Sequence, residues 1–314
     1  MASHSESRVA LVTGAAGFTG RYVTRAFQRA GYRVVGWGNR AVEAAHVDSL
    51  VELTDPFQVE RALKDVQPDV VVHLAGIAFV AHQDIGSIYQ VNVLGTRNLL
   101  AGLQQSGKRP SRVLLASSAN VYGNVGGIID EQRMPLPAND YAVSKIAMEY
   151  MSRQFQETLP ITVVRPFNYT GVGQSEAFLI PKIVSHFRRR ESMIELGNIN
   201  VGRDFNDVRN VAESYLRLAT EGRDGHAYNL CTGVEHKLAD VIAMMSRIAG
   251  YEIEVRVNPA FVRENEVHTL VGDPAKLRNA IGELPSIPLA STLQWMYGTP
   301  VDAIAIESKG NANV

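Results

Sequence analysis

The segment Thr13-Gly14-Ala15-Ala16-Gly17-Phe18-Thr19-Gly20 follows a β-branched run at 9–12 and opens a helical pattern at 18–30. A strand, a glycine turn and a helix in direct succession leave few architectures open. Glycines let the backbone reverse sharply and bring its N–H groups close to an anion, and the helix N-terminus adds the positive end of its dipole. A pyrophosphate suits such a turn, with Gly14, Gly17, Phe18, Thr19 and Gly20 around it. The glycines stand three apart, which departs from the Gly-x-Gly-x-x-Gly dinucleotide fingerprint. A plain tight turn between strand and helix is the competing reading.

The rhythm continues downstream. β-branched runs at 33–37, 70–74 and 113–117 alternate with helical stretches at 56–66 and 88–105, as strands joined by crossover helices do. The expectation is an α/β fold: a doubly wound, Rossmann-type parallel sheet covered on both faces. A helix at 141–157 leads to a strand candidate at 161–165, and Pro166, which lacks an N–H, ends regular pairing there. Beyond it come Gly- and Asn-rich stretches, helices at 178–190, 208–221, 238–249 and 289–297, and strand candidates at 227–230 and 253–257. This predicts a dinucleotide-binding domain over 1–166. A smaller, interlaced C-terminal substrate-binding lobe over 167–314 follows, with parts near 203–232 returning to the first.

Composition narrows the partners. A net charge of −1 gives no overall attraction for nucleic acid or an anionic membrane, so a polyanion would need a local cluster, and a small ligand is expected. The single cysteine, Cys231, excludes an internal disulfide framework. The polar start at 1–7 lacks the apolar core of a signal peptide, and no apolar run has membrane-spanning length, so a cytoplasmic address is expected. His73, His82, His226 and His236 show no metal-ligand spacing, and no metal is expected.

Tyr141 and Lys145 stand four apart at a helix start, which puts both on one face, and Ser118 ends the 113–117 strand candidate. A lone Tyr-x-x-x-Lys pair is weakly specific; its setting is more so. Ser117-Ser118-Ala119-Asn120-Val121-Tyr122-Gly123 followed by Asn139-Asp140-Tyr141-Ala142-Val143-Ser144-Lys145 resembles the active-site segments of extended short-chain dehydrogenases/reductases. The glycine spacing resembles that family's as well. His73-Leu74-Ala75-Gly76, Asn92-Val93-Leu94-Gly95-Thr96 and Arg165-Pro166-Phe167-Asn168 carry the likeness over nearly the whole chain.

The resemblance implies catalysis by Ser118, Tyr141 and Lys145, with Leu74, Ala75, Gly76, Asn92 and Pro166 along the cofactor cleft. A phenol with an ordinary pKa of about 10 is a poor acid–base group at neutral pH; an ammonium and an oxidised nicotinamide would lower it by stabilising phenolate. Ser118 would hydrogen-bond the carbonyl oxygen that Tyr141 protonates, and Lys145 would also bind the nicotinamide ribose. No acidic residue stands where NAD's ribose 2′-hydroxyl is usually met; the strand end reads Gly36-Trp37-Gly38-Asn39-Arg40. Asn39 could bond a 2′-substituent and Arg40 a 2′-phosphate, which favours NADP(H), with NAD(H) as the alternative. A solvated surface arginine is the rival. Asp55 resembles the aspartate that meets the adenine in this family and equally suits a helix N-cap before Pro56; the two roles are compatible.

Neighbours of the serine discriminate among reactions. Related 4,6-dehydratases carry a glutamate where this chain has Asn120, and epimerase-reductases a cysteine where it has Ala119. Reduction at C4, or 4-epimerisation with a tightly held NAD, remains. The segments 167–174, 197–205 and 228–233 are similar to enzymes of GDP-mannose-derived sugars, including the GDP-mannose 4,6-dehydratase subgroup, and are most like GDP-6-deoxy-4-keto-D-mannose (GDP-rhamnose) reductases. By that resemblance Ser118 and Asn120 face the sugar, and Asn168, Lys182, Arg203 and Arg263 lie near the nucleotide diphosphate. Glu266 would accept from a ribose hydroxyl. The expected activity is NAD(P)H-dependent 4-ketoreduction of a nucleotide-linked keto-deoxysugar, GDP-4-keto-6-deoxy-D-mannose to a GDP-6-deoxyhexose. A sugar-nucleotide 4-epimerase and a non-catalytic dinucleotide-binding regulator are the alternatives. Leu94, Leu99, Ile146 and Met151 form helical stripes of the kind that the family pairs into a homodimer, although core packing explains most of them.

Overall fold

The computed structural model describes residues 7–39, 48–78, 84–261 and 268–299. Seven parallel strands form the main sheet, in the order Ala227–Leu230, Ile161–Pro166, Arg112–Ala116, Val70–His73, Val9–Thr13, Arg33–Gly38 and Ser49–Leu50. The strands Val9–Thr13 and Val70–His73 are buried along their whole length, which is why they read as continuous apolar runs rather than alternating ones. Alternate side chains still serve opposite faces. Ala10, Val12, Val72 and Leu114 join a core with Phe27 and Tyr215, whereas Leu11, Val71, Val113 and Leu115 join one with Leu99 and Met148.

The strand order reverses between Val9–Thr13 and Val70–His73, and loops leaving the carboxyl ends of such strands part to make a crevice. Pro166 is the last residue of its strand and lies opposite Leu230, so Ala227–Leu230 does return to the main sheet. The predicted helix at 88–105 is continuous but not uniform. Its turns run α over Ile85–Tyr89, π over Gln90–Gly95 and α again over Thr96–Gln105.

A second sheet orders Glu235–Lys237, Gly202–Asp207, Thr269–Gly272 and Ile128–Ile129, with Asn168–Thr170 beside Gly202–Asp207. Met193–Leu196 and Glu254–Val257 pair separately. The helices Leu179–Arg188, Leu238–Ala249 and Leu289–Gly298 close a third core around Phe187, Val241 and Leu293. Among the described residues no helix is long and apolar enough to cross a membrane.

Candidate active site

The glycine turn leaves the carboxyl end of Val9–Thr13 with Gly14 in the left-handed region at φ +70°, and a Cβ there would sit 2.8 Å from the Ala75 backbone nitrogen. At Gly20 a Cβ would lie 2.2 Å from the Gly14 carbonyl oxygen, so only glycine lets the helix Phe18–Arg29 begin against the turn. That helix starts with neither a side-chain cap nor an acidic residue in its first turn, and its amide end stays available to an anion.

A cleft of about 390 Å³ opens there. Gly14, Gly17, Phe18, Thr19 and Gly20 form one wall, and Leu74 and Gly76 come from the neighbouring loop. Ser118, Asn120, Tyr141, Lys145, Pro166 and Asn168 are among the other residues that line it, so most of the residues singled out in the sequence share one space.

The local folding of the central three is direct. Ser118, in extended backbone, caps the short turn Ala119–Tyr122, its Oγ accepting from the Asn120 backbone N–H and from Asn120 Nδ2, both at 3.2 Å. Asn139 caps the helix Asp140–Ser152, accepting from the Ala142 N–H at 2.9 Å, which places Tyr141 and Lys145 one turn apart and buried. Lys145 Nζ donates to the Ala116 carbonyl at 2.9 Å and lies 6.0 Å from the centre of the Tyr141 ring.

Burial brings the Lys145 ammonium down to about 8, with the Glu149 charge opposing it. The chain's own groups act on the phenol in the opposite direction to the expected oxidised nicotinamide. Burial pushes Tyr141 up to about 12, the Ser118 hydroxyl draws it back, and Tyr169 pushes it further up. Desolvation outweighs any help from Lys145, whose ammonium is directed at a carbonyl. The chain's own groups therefore hold Tyr141 as a protonated phenol, the form that can donate a proton.

Other predicted residues act from behind the cleft. Asn92, in the π segment, accepts from the Ile77 N–H at 2.8 Å and donates to the Ile77 carbonyl at 3.2 Å and to Ser144 Oγ at 3.0 Å. It thereby clamps the loop that carries Leu74, Ala75 and Gly76. The Ala75 N–H donates to Thr13 Oγ1 at 3.2 Å. His73 is buried and pushed down to about 3 by desolvation and the Lys145 charge, so it is neutral. The Thr96 hydroxyl donates to the Asn92 carbonyl at 2.8 Å, which leaves its oxygen to accept from His73 Nε2 at 2.8 Å. His73 Nδ1 then accepts from the Thr13 hydroxyl at 2.7 Å. Asp55 is an N-cap, accepting from the Phe57 and Gln58 N–H groups at 2.9 and 3.2 Å. Asn39 is exposed just past the strand Arg33–Gly38, and Arg40 lies outside the described residues.

The predicted nucleotide-side cations are differently engaged. Lys182 Nζ donates to the Glu195 carbonyl at 2.8 Å and stands 4.7 Å over the Phe261 ring. Arg203 lies on the strand Gly202–Asp207; its Nη1 donates to the Gly202 carbonyl at 2.8 Å and to the His268 carbonyl at 3.2 Å. Arg263 and Glu266 lie outside the described residues. Sequence reasoning missed Tyr169, whose hydroxyl bonds Thr19 Oγ1 at 2.7 Å and whose ring stacks on Phe18 at 6.1 Å. It also missed Glu149, for which helical spacing from Lys145 was the available signal. Cys231 is buried and its thiol pushed up by desolvation, so it is no nucleophile. Among the described residues no three His, Cys, Asp or Glu side chains are grouped to hold a metal ion.

A glycine turn, an uncapped helix start and a buried ammonium in one cleft fit a dinucleotide, and known proteins agree with that chemistry. A GDP-6-deoxy-D-talose 4-dehydrogenase from Aggregatibacter actinomycetemcomitans is 34% identical over 87% of this chain and 90% of its own length. A GDP-6-deoxy-D-mannose reductase from Pseudomonas aeruginosa is 35% identical over 90% of this chain and 94% of its own. The structure of RMD from Pseudomonas aeruginosa complexed with NADPH superposes with a TM-score of 0.80 at 33% identity, covering 93% of this chain and 98% of that one. Residues 10–231 match the profile of the NAD dependent epimerase/dehydratase family, and the chain belongs to that family.

Proposed function

We propose that the protein reduces the 4-keto group of a nucleotide-linked deoxysugar with a nicotinamide dinucleotide, NADPH being favoured. The proposed substrate is GDP-4-keto-6-deoxy-D-mannose and the product a GDP-6-deoxyhexose. The convergence of Ser118, Tyr141 and Lys145 in one cleft beneath the glycine turn carries this reading. The two curated relatives support the sugar. 6-Deoxy-D-talose and 6-deoxy-D-mannose differ only in configuration at C4, so oxidation of either at that carbon gives the same 4-keto sugar.

In this reading the turn at Gly14, Gly17 and Gly20 binds the diphosphate, and the cofactor supplies hydride to the carbonyl carbon. Ser118 Oγ donates to the carbonyl oxygen and Tyr141 delivers the proton to it. Lys145 orients the nicotinamide ribose. Asn120 and Asn168 face the sugar, while Lys182, Arg203, Arg263 and Glu266 take the nucleotide side; Lys182 and Arg203 do so by exchanging their carbonyl contacts for phosphate oxygens.

Purified protein mixed with NADPH and GDP-4-keto-6-deoxy-D-mannose is expected to consume the two in equal amounts, with a GDP-6-deoxyhexose identified by NMR. NADPH that binds but is not consumed, with this and other nucleotide-linked keto sugars, would support the regulator instead. NADH in parallel is expected to turn over more slowly.

We also propose a homodimer through the helices at 85–105 and 140–152. Leu99 is part of the core, but Ile85, Leu94 and Tyr150 are half or more exposed on these elements. Light scattering at micromolar concentration should give a dimer, and Leu94→Glu should give a monomer by setting a charge in the apolar face. A monomeric wild-type protein ends that proposal.

A further inference from the structure

Glu149 is buried one turn beyond Lys145 on the same helix, and the chemistry above gives it no task. Its carboxylate accepts from Ser117 Oγ at 2.5 Å, from Arg165 Nε at 2.9 Å and from Arg165 Nη2 at 2.6 Å. Three cleft-bearing segments meet at this one group. Ser117 precedes Ser118, Arg165 precedes Pro166, and the helix that carries Glu149 also carries Tyr141 and Lys145. Arg165 extends the network by donating to the Tyr122 hydroxyl at 2.9 Å, and that hydroxyl donates to Asn229 Oδ1 at 2.7 Å.

A buried ion pair is weak grounds for stability by itself, because apolar residues of similar volume stabilise as well or better. The surroundings of Lys145 give this one another purpose. The Lys145 ammonium is desolvated and donates to a carbonyl, a dipole rather than a charge. The titratable groups facing it are His73 from the strand Val70–His73, which is neutral, and Tyr141 and Glu149 from its own helix. Arg165 stands behind Glu149 on the strand Ile161–Pro166. Of these groups, Glu149 is the one whose charge favours the ammonium.

We propose that Glu149 is a positioning residue of the site: its carboxylate locks the serine-bearing strand end onto the tyrosine–lysine helix and supplies the buried counter-charge that keeps Lys145 an ammonium. The importance of that ammonium rests on the proposed ketoreductase reading; its charge state does not. Burial already brings Lys145 to about 8, so losing the Glu149 charge carries its deprotonation toward neutral pH. Replacing Arg165 by lysine disturbs the same pair but keeps a cation against the carboxylate, and so keeps the counter-charge beside Lys145.

The test is an NMR titration of the full chain carrying lysine labelled with 13C at Cε, with the Lys145 signal assigned through Lys145→Met. Glu149→Gln is expected to lower the Lys145 midpoint by about one pH unit. Arg165→Lys breaks the bidentate pair while keeping a cation there and lowers the melting temperature, yet leaves the midpoint in place. Should either single variant fail to fold, Glu149→Gln combined with Arg165→Met removes both members of the Arg165–Glu149 pair together and must still show the lowered midpoint. Equal shifts in the two single variants, or a wild-type midpoint in the double variant, would overturn the proposal. In active protein, the alkaline limb of kcat is expected to follow the NMR midpoint. The titration needs no turnover, so a protein that leaves the keto sugar untouched still answers it.

Discussion

Tyr141→Phe is expected to lower kcat by about 10²- to 10⁴-fold while leaving the fold and the affinity for the dinucleotide nearly unchanged. The substitution removes one hydroxyl and keeps the ring, which is buried at the start of its helix. The neighbour that acts on that hydroxyl is Ser118, itself engaged with Asn120, so stability should fall by no more than about 1 kcal/mol. Steady-state kinetics, a thermal melt and a fluorescence titration with NADPH separate these effects. Unchanged turnover would remove the enzyme assignment. The direction of pH dependence follows from the same groups. Burial holds Tyr141 near 12, so the proton donor stays loaded through the neutral range, and the rate should decline instead as Lys145 loses its proton around 8.

Gly20→Ala is expected to be nearly as damaging by a wholly different route. The added methyl would meet the Gly14 carbonyl oxygen at 2.2 Å, the Ala15 Cα at 2.7 Å and the Ala15 carbonyl carbon at 2.9 Å. All three are backbone atoms within the turn, so no side chain can rotate aside, and the helix start must retreat from the strand end. Overpacking of this kind costs about 1–3 kcal/mol, readable as a lower denaturant midpoint. The retreat also draws the helix amides away from the diphosphate site. Losing one hydrogen bond to a charged group weakens binding by about tenfold or more, which a titration with NADPH would show. Wild-type affinity and stability in this variant would mean that the turn does not pack as described.

The sequence was most readable where local pattern and tertiary role coincide. The helices at 208–221 and 238–249 appear with the expected bounds, because their apolar stripes face single, well-defined cores. Ala227–Leu230 was legible as a strand and as a returning one. The short strands Ile128–Ile129, Asn168–Thr170 and Thr269–Gly272 were not, since two to four residues carry no period and their partners lie far along the chain. Arg203 shows the same limit. Its Gly- and Asn-rich neighbourhood suggests a loop, yet the segment pairs with 235–237 and 269–270.

Within the site, Ser118, Tyr141 and Lys145 line one cleft as the family resemblance implied, whereas spacing alone put only Tyr141 and Lys145 on one face. Asn92 reads in the sequence as a cleft residue but folds into a clamp, because a π turn aims its amide at Ile77 and Ser144. Residue type gave Lys182 and Arg203 a charge; it could not say which oxygen each long stem would reach. The direction in which Tyr141 shifts depends on how much water is excluded around it, and spacing alone does not encode that.

The late arrival of Ala227–Leu230 bears on biosynthesis. Six strands of the main sheet are specified by residue 166, but the row of backbone groups along Ile161–Pro166 waits for a partner encoded some sixty residues later. A nascent chain therefore emerges with an unpaired, apolar strand edge, the kind of surface on which chains join to one another and on which chaperones act. The first 166 residues are for that reason a poor unit to transplant or express alone: cutting there leaves the sheet open at the strand whose end borders the active cleft.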